Sequence, residues 1–171
     1  MDSSLALSPF GVIHTIISLV AVIAGAVNFF RDGAIVPGTT AGRVYIWMTV
    51  LTCVTGFFLF RHGGFGKPHA LGVFTLLVLA VAWLANKRKF GNASIYVETV
   101  SLTFTFFLHM IPALTETFTR LPSAKPLFAN PEDPALQKVV GAFFLLFVIG
   151  VVYQVRRLKA NRGVRRSAAL A

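Results

Sequence analysis

Apolar runs alternate with short polar breaks along the whole chain, and the pattern predicts an all-α membrane protein. Five spans are expected, at about 9–30, 44–60, 70–85, 93–118 and 139–155, forming a single transmembrane helical bundle. A helix needs about 20 apolar residues to cross the hydrocarbon core. The first run, Pro9 to Phe30, has 22 residues without a charge and meets that length. Its rival reading is a secretory signal peptide, because Ala24-Gly25-Ala26 resembles a small-residue cleavage site. The positively charged start that such peptides carry is missing, so the run reads as a retained span. The second and third runs are about 25 Å long at 1.5 Å per residue, so their flanks must enter the headgroup region or the bilayer must thin. A re-entrant hairpin is the alternative there.

The breaks are rich in turn formers and basic residues. Gly33, Pro37 and Gly38 interrupt the loop from Arg31 to Arg43, and Lys87-Arg88-Lys89 lies in the loop from Asn86 to Asn92. A proline-rich loop runs from Thr119 to Lys138, and a basic tail fills 156–171. Between the second and third spans lies Arg61-His62-Gly63-Gly64-Phe65-Gly66-Lys67-Pro68-His69, where glycines let the backbone fold back and Pro68 suits the start of a helix.

Composition supports the membrane assignment: of 171 residues 56% are hydrophobic and 13% charged, about half the charge of a soluble domain. The net charge of +10 does not point to nucleic acid, because the basic residues flank apolar runs instead of interleaving with polar and aromatic ones. Cys53 is alone, which excludes an intrachain disulfide. With the tail in the cytoplasm, eleven lysines and arginines fall on the cytoplasmic side and five on the other. The positive-inside rule then places the N-terminus outside and the C-terminus inside.

Each of three spans carries a polar or small stripe. His14, Ser18, Ala21, Gly25 and Asn28 share one face, as do Tyr45, Thr49, Thr52 and Gly56. In the fourth span Glu98, Thr105, His109 and Glu116 lie along one line, with Pro112 expected to kink its outer part. Intramembrane ionisable groups are costly and face the bundle interior. The topology puts all four histidines in the outer half: His62 and His69 in the turn, and His14 and His109 below it at depths expected to match.

Gly42-Arg43-Val44-Tyr45, leading into a Thr/Gly-rich span and a glycine-rich turn, resembles a bacterial family of small multi-span membrane proteins known as a domain of unknown function. The likeness covers about residues 38–85. Where members carry a His-Arg pair before the Gly-Arg-x-Tyr element, this chain reads Gly38-Thr39. The resemblance implies a bacterial inner (cytoplasmic) membrane protein and supplies no activity.

Three readings of the histidines follow. In the first, His14 and His109 are axial ligands of a b-type haem, and Arg61, His62, Lys67 and His69 meet its propionates. Electron transfer from a quinol would be its natural use. In the second, His14, His69 and His109 with Glu116 hold zinc or another divalent metal for hydrolysis, although no HExxH is present. In the third the histidines are structural and the chain is a membrane scaffold or partner subunit. Glu98 is expected to favour the N-terminal dipole of its helix or pair with Arg43, or else to join a proton relay through Thr105 and His109. No pattern of residues names a catalytic reaction.

Overall fold

The computed structural model describes residues 9–59, 65–121 and 125–168. They form α1 (Pro9–Asp32), α2 (Thr40–Gly56), α3 (Lys67–Asn86), α4 (Ser94–Phe118) and α5 (Pro134–Ala168), with one 3-10 turn at Gly91–Ala93, and no strand among the described residues. Four segments are long and apolar enough to cross a membrane: Pro9–Asp32, Lys67–Asn86, Gly91–Phe118 and Pro134–Asn161. The fifth helix, α2, has 17 residues.

Local chemistry explains where the helices start. Thr39 caps α2 by accepting from the Gly42 N–H at 3.0 Å, so this helix begins four residues before the expected span, and Arg43 lies within it. An ideal Cβ on Gly42 would collide with the carbonyl of Val36, so the preceding loop can fold over α2 only because no side chain is there. Asp133 receives the N–H groups of Ala135 and Gln137, and Pro134 has no N–H to satisfy, so α5 also starts early. It then runs on to Ala168 through what the apolar pattern marks as a tail, because Arg, Lys, Leu and Ala are good helix formers whether or not lipid surrounds them.

The end of α3 is less usual. Lys89 N–H bonds to Leu84 C=O at 3.1 Å and Arg88 N–H to Ala85 C=O at 2.9 Å, a Schellman closure. Its left-handed position, normally glycine, is Arg88 with φ 61°. For a residue with a Cβ that conformation costs about 1 kcal/mol.

Packing centres on α4, which touches all four other helices. Phe106 meets Phe29 of α1 at 5.0 Å, Tyr45 of α2 bonds Thr105, Phe74 of α3 lies 5.9 Å from Phe104, and Phe147 of α5 lies 5.3 Å from it. The pair α1 and α2 is antiparallel, joined at one end by Asn28 and Thr39 and at the other by His14 and Thr55. The helix α2 therefore runs alongside α1 from residue 28 to residue 14 despite being short.

The interior is unusually polar and the exterior apolar. Asn28, Thr49, Thr103, Thr105 and Gln154 are buried, while Phe30, Trp47, Leu77 and Ile149 are exposed, the distribution expected where lipid is the solvent. Hydroxyls inside are satisfied locally: Thr49, Thr52, Thr55 and Thr75 each donate to the carbonyl four residues back, at 2.7–2.8 Å. At one end of the bundle Gln154 of α5 accepts from Thr103 at 2.9 Å and donates to Gly33 C=O at 2.9 Å, tying α5 to α4 and to the α1–α2 loop.

Candidate functional site: the histidines of α1 and α4

His109 is the most enclosed of the candidate ligands. It is 7% exposed, sits one turn after Thr105 on the inner face of α4, and has the Tyr45 ring 6.1 Å away. Its Nδ1 lies 3.2 Å from the Thr105 carbonyl. A carbonyl only accepts, so Nδ1 carries the proton and the lone pair is on Nε2. That Nε2 is buried and has no hydrogen-bond partner among the described residues. A buried acceptor left in that state costs about 1–3 kcal/mol.

Thr105 is the hub of this arrangement. Its hydroxyl donates to Leu102 C=O at 2.8 Å, so the Tyr45 hydroxyl must donate to it, at 2.7 Å. Tyr45 and Thr105 are both fully buried, which fixes the turn that carries His109.

The same logic applies to His14. Its Nδ1 is 2.8 Å from Thr55 Oγ1, whose own proton goes to Leu51 C=O at 2.7 Å. His14 is therefore the donor, and its Nε2 also bears the lone pair. Gly56 faces this ring, with an ideal Cβ 3.3 Å from His14 Cε1.

Gly25 packs against both Phe106 and Tyr45, which brings α1, α2 and α4 together at one level. From there His14 is eleven residues along α1, about 16 Å, whereas His109 is three residues beyond Phe106, about 5 Å. About 12 Å therefore lies between the two Cα levels, a span that the two side chains together would have to bridge to reach one iron.

The zinc set is not assembled. Among the described residues no three or more His, Cys, Asp or Glu side chains gather in a form that could hold a metal ion. Glu116 is directed outward, 56% exposed, and forms an ion pair with Arg120 Nε at 2.6 Å, the adjacent position one turn on. His69 is the N3 residue of α3, and its Nδ1 accepts the Gly66 N–H at 3.2 Å, so it caps the helix, with the Phe65 ring 5.3 Å away. Lys67 pairs at the surface with Glu132 at 3.3 Å. Arg61 and His62 lie outside the described residues. Glu98 pairs with neither Arg43 nor His109 in any contact described; it accepts from Asn86 at 3.0 Å.

Sequence spacing missed Thr55 and Gln154. Thr55 continues the Thr49–Thr52 series by three residues, and Gln154 is a lone amide within an apolar run, so both left a trace. No family model, curated protein or solved structure matches the chain.

Proposed function

We propose that the chain is a multi-pass bacterial inner-membrane protein, with α2 as a fifth span and its C-terminus in the cytoplasm, that holds a b-type haem on His109. The observation that carries this reading is the His109 ring itself. Its Nδ1–H is fixed by a backbone carbonyl and its basic Nε2 is buried with no partner among the described residues. Metal-ligating histidines are oriented in just this way by the atoms behind them. The donor count favours haem over a bare ion. A bare metal requires three or more protein ligands, which do not gather among the described residues, whereas haem brings four nitrogens of its own and needs one or two.

When bound, haem would supply one-electron transfer, with a membrane quinol as the natural donor. The residues of this chain would do the rest. Thr105 would hold the imidazole in the ligating tautomer, Tyr45 would fix Thr105, and the apolar exterior would keep water from the site.

Protein purified from cells supplied with haem should be red with a Soret band, and His109→Ala should abolish that band. His14→Ala separates two forms of the site: it shifts the band where His14 is the second axial ligand and leaves it where His109 ligates alone. A colourless, folded wild type would end the haem reading. A second reading has the same atom as its support: the Nε2 lone pair can accept the hydroxyl of a quinol directly. A colourless protein that retains quinol in a His109-dependent way would favour it.

A further inference from the structure

We infer that the turn Lys87-Arg88-Lys89 is a binding site for the headgroups of anionic phospholipids. The first observation is conformational. Arg88 occupies the left-handed position of a Schellman closure, φ 61°, where glycine carries no steric penalty. The fold would be better served by glycine, so the side chain is retained against local stability. The left-handed residue turns the chain back at the end of α3 and displays three consecutive cations there.

The second observation is where this turn lies. Lys87 Nζ is 6.0 Å from the ring of Trp83, which is 60% exposed and lies one turn before the end of α3. Exposed tryptophan at the ends of membrane helices marks the level of the headgroups. The cations are thus at phosphate depth.

The third observation is electrostatic. Among the described residues no carboxylate pairs with Lys87, Arg88 or Lys89. Of the two acidic groups at this end, Asp32 is paired with Arg31 at 3.0 Å, and Glu98, which accepts from the Asn86 amide at 3.0 Å, leaves one carboxylate against the three cations of the turn. Arg43 at the start of α2 is exposed at the same end. Cations at headgroup depth that outnumber the protein anions are matched by lipid phosphates, and each basic residue near an anionic surface is worth about fivefold in affinity.

The test uses the full chain in neutral detergent, with lipid binding followed by native mass spectrometry and by thermal shift. Phosphatidylglycerol should bind and stabilise the wild type more than phosphatidylcholine does. Arg88→Gly should lower phosphatidylglycerol affinity about fivefold, and adding Lys87→Gln and Lys89→Gln should lower it further. Lipid-free Arg88→Gly should melt at or above the wild-type temperature, so weaker binding cannot be ascribed to unfolding. Equal binding of the two lipids by the wild type would overturn the proposal. So would a triple variant that keeps phosphatidylglycerol affinity within about twofold, since three cations at about fivefold each should be missed. A lipid-free Arg88→Gly that melts well below wild type would remove the conformational argument and count against the site.

Discussion

Replacing Gly25 by alanine is the smallest change that tests how α1 and α4 are held around His109. An ideal Cβ there falls 2.5 Å from Phe106 Cδ2, 2.7 Å from Cε2 and 3.0 Å from Tyr45 Cδ2. Carbon atoms prefer about 3.5–4.0 Å, so the Phe106 ring must retreat by about 1 Å. It has nowhere easy to go. Its other side is against Phe29 at 5.0 Å, and Tyr45 is buried with its hydroxyl held by Thr105. Such overpacking costs about 1–3 kcal/mol. Alanine returns about 1 kcal/mol in helix propensity, so a net loss of up to about 2 kcal/mol is expected. For a chain of this size that is a melting-temperature drop of up to roughly 8 °C, and a larger one relative to a glycine-to-alanine change that gains propensity alone. Cys53 is the sole cysteine and is buried, so a thiol-reactive dye reports the opening of the bundle directly. Gly150→Ala is the control, because nothing lies within 4 Å of its Cβ position and only the propensity gain applies. If Gly25→Ala melts at or above Gly150→Ala, the close approach of α1 and α4 is not what the structure describes.

Other sites give independent expectations. Asn28→Ala should cost about 1–3 kcal/mol in the same dye assay, because the buried amide accepts from Val36 N–H at 3.3 Å and the Thr39 hydroxyl at 3.2 Å, and the N–H would be left without an acceptor. Gln154→Leu loses two bonds, at about 0.6 kcal/mol each on average in membranes, and adding Thr103→Val should cost less than the sum of the two single changes, since the Thr103–Gln154 bond is shared between them. Glu132→Ala should leave the melting temperature unchanged, because its partner Lys67 is at the surface and solvent screens the pair.

The existence and order of the helices were legible because apolar length is a strong signal, and the bounds of α1, α3 and α4 shift little from the apolar runs. The bounds of α2 and α5 were not, for one reason. Both were drawn where charge appears, but a helix ends where its backbone caps, and Thr39 and Asp133 set those caps. The stripe on α4 was half right in consequence. Thr105 and His109 face the interior, whereas Glu116 on the same line turns to Arg120 beyond Pro112. Depth was the least legible quantity. Counting residues from presumed membrane boundaries cannot reveal that Gly25, Tyr45 and Phe106 meet at one level.

Histidine count in the sequence suggested one cluster, but the direction of each hydrogen bond sorts the histidines by role. In His14 and His109 Nδ1 donates, which leaves Nε2 basic; in His69 Nδ1 accepts from Gly66, which puts the proton on Nε2. This makes a chemical prediction that alanine alone would not. Asparagine places an acceptor near the Nδ1 position, so His69→Asn should keep the cap of α3 and melt close to wild type, whereas His69→Ala should lose about 1 kcal/mol, the usual worth of a cap. Glutamine places a polar atom near the Nε2 position, so His109→Gln should preserve the fold of α4 while offering a poor ligand for iron. Melting should therefore follow the acceptor at position 69, and colour the imidazole at position 109. If His69→Asn is as unstable as His69→Ala, the Nδ1 bond is not what holds the start of α3, and the separation of the histidines by tautomer falls with it.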